Sequence, residues 1–191
     1  KISSPDELHA IDAKIGTAAK LDVWAMVETP QAILNIAAVA AAGGRLSCFV
    51  MGTNDLIKEI RGAHTPDRLN LSAALGLSVL AARQNGLAVI DGVYNDIQDT
   101  DGFAEICRQG RAFGFDGKTL IHPSQLEACN AVFAPSPAEV EAARKVIAAF
   151  ELPENKGKGA IKVEGRMVEL LHAEIAKQTV ALSDAIAELA Q

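Results

Sequence analysis

Hydrophobic and polar positions in this chain switch between two periods, and the switches mark out its elements. Short continuous apolar runs, VWAMV at 23–27 and CFVM at 48–51, are bounded by polar or turn residues and read as buried strands. LAVI at 87–90 reads as a third strand and TLI at 119–121 as a fourth. Between them lie longer stretches with helical character. Asp6 to Ala19 is predicted helical, with Ser4 as N-cap and Pro5 at the first helical position. Pro30 to Ala42 is alanine-rich and is stopped by Gly43 and Gly44. Leu69 to Arg83 closes at Asn85-Gly86, and Gly102 to Phe113, preceded by Asp99 and Asp101, ends at Gly114. Ser124 to Val132 and Ala138 to Phe150 complete the series. Strands alternating with helices predict an α/β fold whose parallel sheet is covered on both faces.

A doubly wound sheet and a (β/α)8 TIM barrel both share this alternation. No GxGxxG follows any of the runs, so the dinucleotide-binding fingerprint is absent. Polar residues instead sit at or just past the strand ends: Glu28, then Asn54 and Asp55, then Asp91, Asn95 and Asp96, then His122. In a barrel those positions share one mouth. Four strands make half a barrel, and Lys1 to Pro5 reads as the end of a strand entering a helix. The expectation is therefore the C-terminal portion of a TIM barrel over 1–150, from a longer protein. Residues 151–162, which include ELPENKGKG, read as a linker. Residues 163–191 read as a C-terminal helical segment, with Met167, Leu171, Ile175, Leu182, Ile186 and Leu189 at helical spacing. Such a helix can pack on its own barrel or on a neighbouring subunit.

Composition narrows the function classes. The net charge of −6, with no basic stripe, argues against nucleic acid and membrane surfaces as partners. No signal peptide is visible, and no apolar run reaches the roughly 18 residues of a membrane span. The three cysteines, Cys48, Cys107 and Cys129, form no CxxC pair and read as buried small side chains in a reducing cytoplasm.

The strand-end carboxylates are the candidates for chemistry. Glu28 and Asp55 follow successive strands, and two such carboxylates with room for water suit Mg²⁺ or Mn²⁺. The pattern alone leaves a second reading, in which both residues only cap helices. Asn54, beside Asp55, is placed to orient a water. Asp91, Asp96, Lys118 and His122 are either contacts to a ligand or groups that order loops and caps. His9, His64 and His172 have no partner residues nearby in the sequence and receive no role.

The segments VETP, FVMGTNDL, AVIDGVYNDIQD, GFDGKTLIHPSQ and VFAPSPAEVEAARKVI, in this order, resemble the citrate lyase β-subunit (CitE-like) family. That family lies within the HpcH/HpaI aldolase and malyl-CoA lyase group. The resemblance covers almost the whole chain and implies a (β/α)8 barrel with a C-terminal helical extension, assembled as a homotrimer or hexamer. It implies that Glu28 and Asp55 hold Mg²⁺, and that Asn54, Asp91, Asp96, Lys118 and His122 lie on the substrate or CoA side of the mouth. The implied chemistry is cleavage or formation of a carbon–carbon bond between a short acyl-CoA and a 2-oxo acid. The family's arginine, in an R-x-N motif, falls upstream of Lys1. Its acid, an aspartate in a G-K-M-(I/V)-D stretch, is replaced here by Glu169 in GRMVE, and by resemblance Glu169 acts on a neighbouring subunit's site. Thioester hydrolysis of malyl-CoA on the same site, or a non-catalytic CoA-ester-binding subunit of a larger complex, are the alternatives.

Overall fold

A computed structural model of the chain describes residues 1–17 and 20–189. It begins with α1 (Pro5–Ile15), whose N-terminus carries a reciprocal capping box between Ser4 and Glu7 and whose end is set by Gly16. The helix stops short of the expected span, of which Ala18 and Ala19 lie outside the described residues. β1 (Val23–Val27) follows, then α2 (Pro30–Leu34) and α3 (Ile36–Ala41). The single helix expected over 30–42 is thus two pieces that meet at Asn35, whose side-chain amide donates to the Ser3 carbonyl at 3.0 Å. β2 (Leu46–Met51) leads directly into α4 (Thr53–Glu59), a short helix absent from the elements expected from the sequence. Its apolar face is only Leu56 and Ile57, too few positions to announce a helical period.

A 3₁₀ turn at Leu69–Leu71 opens α5 (Ser72–Gln84), and β3 (Ala88–Asp91) and α6 (Thr100–Phe113) come next. β4 is Gly117–Lys118, earlier than the expected Thr119–Ile121. Pairing decides this: Lys118 lies opposite Asp91, the last residue of β3, so the chain beyond has no ladder to join. Thr119 ends the pairing with its amide on the Asp91 carbonyl at 2.9 Å. After a 3₁₀ turn at Pro123–Gln125 come α7 (Leu126–Phe133) and α8 (Pro137–Glu151).

Among the described residues these strands form a four-stranded parallel sheet in the order β1-β2-β3-β4. Sequential order, with no reversal, is the order of a singly wound barrel rather than of a doubly wound sheet. All four C-terminal strand ends therefore point to one edge. The central strand β2 is buried on both faces, and Phe49 and Met51 pack with Val27, Val89, Leu56 and Leu75 in the core. Ile2 donates its amide to the Met26 carbonyl at 3.2 Å, which lays the first residues alongside β1. The three cysteines are free and buried, as expected.

The chain separates into two compact units, 1–133 and 134 onward. The division falls before α8 rather than at 150, because α8 packs with the elements that follow it. Those elements also differ from expectation. β5 (Ala160–Val163) and β6 (Arg166–Glu169) form an antiparallel hairpin, and only then does α9 (Leu170–Leu189) begin. Residues 160–162, read as linker, are strand, and 163–169, read as helix, are hairpin. The cause is Glu164-Gly165, both at positive φ (49° and 84°), which is the backbone of a type I′ two-residue turn. α9 buries Ala173 and Ala176, while Leu171, Ile175, Leu182 and Ile186 of the apolar row are exposed. No helix among the described residues is long and apolar enough to cross a membrane.

Leu75 has no exposed surface and touches the centre of the core. Leu75→Ala is expected to cost about 3 kcal/mol, the range for a buried leucine left as a cavity. Urea unfolding followed by far-UV circular dichroism measures it.

Candidate active site

Glu28 is the first residue past β1, and its side chain is only 8% exposed. Room for it comes from Gly52, just past β2. The Gly52 amide donates to the Val27 carbonyl at 2.8 Å, which draws the two strand ends together. A Cβ on Gly52 would stand 2.4 Å from the Glu28 Cβ and 2.5 Å from its Oε2. Only glycine leaves the carboxylate its place. Asp55 lies one turn further on, at the start of α4, with its side chain 42% exposed.

The two carboxylates converge. The Lys1 ammonium lies 2.9 Å from Glu28 Oε1 and 3.5 Å from Asp55 Oδ1, so one positive charge is shared by both. The hydrogen bond to Glu28 raises the Lys1 pKa above its ordinary value. The helix-cap reading of these residues is weakened by the local geometry: α2 is capped by Thr29, whose hydroxyl accepts from the Ala32 amide at 3.1 Å. Among the described residues no cluster of three or more His, Cys, Asp or Glu side chains is arranged for a metal. Two hard oxygen donors that converge on a cation, one buried and one half-open, do fit Mg²⁺, which takes one or two carboxylates and keeps water in its other positions.

A cleft of about 520 Å³ opens at Asn54, and neither Glu28 nor Asp55 is among its lining residues. Thr53, Asn54, Tyr94, Asn95, Asp96 and Arg68 contribute to its lining. Asn54 and Asn95 exchange two side-chain hydrogen bonds, both 2.9 Å, and so tie the first turn of α4 to the loop after β3. Asp96 spends Oδ1 on the amides of Gln98 and Asp99, at 3.0 and 3.2 Å. Asp99 caps α6 through the Gly102 amide and accepts from the Tyr94 hydroxyl at 2.5 Å. That last bond leads the causes that push the phenol up to about 12 and hold the carboxyl below its usual range.

Beneath the cleft lies a buried ion network that the sequence did not announce. Arg68, in the left-handed region at φ 51°, places Nη1 at 2.8 and 2.9 Å from the two oxygens of Asp91. Its Nε donates to Gln109 Oε1 at 2.7 Å. Lys118 Nζ reaches Asp91 Oδ2 at 3.1 Å and also donates to the Gly92 carbonyl. The side chains of Asp91 and Lys118 are both fully buried. Their expected place on the ligand side of the mouth is thereby corrected: their charged atoms face each other inside the protein. Burial is the main cause that lowers the Lys118 pKa, against the pull of Asp91.

Two candidates remain. His122 is exposed, and its Nδ1 accepts from the Ser124 amide at 3.2 Å, so the ring caps the 3₁₀ turn. This is the loop-anchoring role. Glu169 ends β6 in the second unit, exposed, with its amide donating to His172 Nδ1 at 3.0 Å. Sequence reading missed Arg68 and Gln109 because both partners come from distant segments and neither falls in a periodic pattern. Asp91→Asn would leave two buried cations with no counter-charge, and the expected loss is about 3–5 kcal/mol. A drop in the urea midpoint with an unchanged slope checks it.

The chain is similar to known proteins. Residues 5–123 match the HpcH/HpaI aldolase/citrate lyase family, and residues 73–186 match a C–C bond lyase of the TIM-barrel fold. A (3S)-malyl-CoA thioesterase of Cereibacter sphaeroides is 53% identical over 98% of this chain and 64% of its own length. The human mitochondrial citramalyl-CoA lyase is 32% identical over 98% of this chain and 60% of its own. The CitE protein of Mycobacterium tuberculosis, solved with magnesium, acetoacetate and coenzyme A, superposes with a TM-score of 0.74 at 31% identity, over 95% of this chain and 66% of its own. The chain spans about three fifths to two thirds of the length of these relatives. On sequence, fold and strand order together, the chain belongs to the HpcH/HpaI aldolase/citrate lyase family.

Proposed function

We propose that this chain is the metal-binding part of a Mg²⁺-dependent enzyme acting on a 3-hydroxy-acyl-CoA thioester of the malyl type, and that the reaction is thioester hydrolysis. The convergence of Glu28 and Asp55 on one cation carries the proposal. It is supported by the magnesium and coenzyme A bound in the CitE relative and by the thioesterase relative at 53% identity. Mg²⁺ bound there supplies a Lewis acid that polarises substrate oxygens and fixes their orientation.

Each residue then has a task. Glu28, held against Gly52, and Asp55, at the start of α4, anchor the cation at the strand ends. Asn54, fixed by its exchange with Asn95, presents an amide beside that position. Asp96 lies in the cleft that receives the remainder of the ligand. In hydrolysis, water adds to the thioester carbonyl carbon, the carbon–sulfur bond breaks, and the thiolate takes up the proton, leaving a free 3-hydroxy acid and CoA. Glu169 carries the proton, delivered by a neighbouring copy in a homotrimer or hexamer. A glutamate in that position suits a base for water, since its extra methylene moves the carboxylate relative to an aspartate.

Carbon–carbon cleavage is the second reading, favoured by the citramalyl-CoA lyase relative. There the same cation would hold the 2-oxo acid portion while the thioester leaves as an enolate and takes a proton from Glu169. Product analysis on the full-length protein separates the two. Free malate plus CoA from malyl-CoA is the expected result; glyoxylate plus acetyl-CoA would establish cleavage instead. Asp55→Asn is expected to lower turnover at least a hundredfold and to weaken Mg²⁺ binding, measured by calorimetry. Glu169→Gln should abolish turnover while leaving Mg²⁺ affinity intact. Mixing the two variants should restore part of the activity, because mixed oligomers then contain sites with both carboxylates. No recovery in mixed assemblies would place Glu169 in its own subunit's site or outside the mechanism.

A further inference from the structure

The cation between the two carboxylates is the side-chain ammonium of Lys1. Lys1 is held there by its neighbours. Ile2 is 4% exposed and hydrogen-bonds to the Met26 carbonyl, so the chain runs beside β1. Ser3 shares a hydroxyl contact with Thr29 at 3.1 Å, and its carbonyl accepts from Asn35 at 3.0 Å. These contacts fix the backbone of the segment at the strand-end edge. The Lys1 side chain itself is 62% exposed, on a flexible four-carbon stem. It is anchored at the root, and its tip is held only by the two carboxylates.

We infer that Lys1 is a built-in place-holder for the metal. Its ammonium neutralises Glu28 and Asp55 when the site holds no divalent ion, and metal binding displaces it. This inference rests on the assignment of Glu28 and Asp55 as the metal ligands. Two facts support it. Glu28 is nearly buried, so its charge needs a counter-ion at all times. A divalent ion held by Glu28 and Asp55 would compete for the carboxylates that the ammonium now bridges at 2.9 and 3.5 Å. Two cations that close repel strongly, and only the ammonium is on a mobile arm. Metal entry then frees one positive charge at the mouth, where it is available to an anionic oxygen of the ligand. Lys1 is a positioning residue in this account: it keeps the pair assembled and sets how tightly the metal must compete.

The test uses the full-length protein with Lys1→Met and Lys1→Arg, and Mn²⁺ as the probe, followed by electron paramagnetic resonance. Wild type should bind Mn²⁺. Lys1→Met should bind it roughly fivefold more tightly, since no ammonium then competes for the two carboxylates. Without metal, Lys1→Met should melt at a lower temperature than wild type, and saturating Mn²⁺ should erase that difference. Lys1→Arg, which keeps the charge, should stay near wild type in both measurements. Unchanged or weaker Mn²⁺ binding by a folded Lys1→Met overturns the place-holder. Absence of Mn²⁺ binding by wild type overturns the metal assignment itself, and the place-holder with it.

Discussion

The carboxylate of Asp91 is the point on which the sheet edge depends. It ends β3, faces Lys118 of β4, and accepts through both of its oxygens from Nη1 of an arginine that comes from the loop before α5. Its Oδ1 also takes the amide of Gly92 at 2.7 Å, which bends the chain out of the strand and into the cleft wall. Through Arg68 the network reaches Gln109 on α6. Four segments are thus fastened to one buried charge. Gly110 is part of the arrangement, since a Cβ there would lie 2.8 Å from Asp91 Oδ2. Such a network is costly to desolvate and costly to break, and its value is that it fixes one geometry.

Above that network, the site is built from the ends of neighbouring strands rather than from any one loop. β1 delivers Glu28, β2 delivers Gly52 and the start of α4, and β3 delivers the loop that carries Asn95 and Asp96. The parallel ladder sets the spacing between these deliveries, since adjacent strands lie about 4.8 Å apart. Two carboxylates on adjacent strands are therefore close enough to share a cation without any special loop. The glycine between them decides whether they do.

Much of this was legible from residues in a row. Glu28 stood out because a charge directly after a fully apolar run has few places to go except the strand-end edge, and Asp55 because it follows the next such run within one turn. β1, β2 and β3 were legible for the same reason. α4 was not, because its two buried apolar residues are adjacent and show no period. The hairpin after residue 159 was hidden by Met167, which fits both a strand and the helical row that continues at Leu171. The fate of Asp91 and Lys118 was out of reach of local pattern: their partners lie 23 and 27 residues away, and only the fold brings them together. A polar residue at a strand end can point up into solvent or down into the core, and sequence period does not distinguish the two.

The Asn54–Asn95 exchange has a consequence for how the protein can change. Each side chain gives and takes one bond with its twin, so replacing either loses both contacts at once. A carboxylate in one position could accept but not return the bond, and a hydrophobic residue would leave an amide facing a wall. Neither position can drift alone without loosening the turn that carries Asp55. Across descendants of this chain the two sites should behave as a single inherited character, lost or kept as a pair.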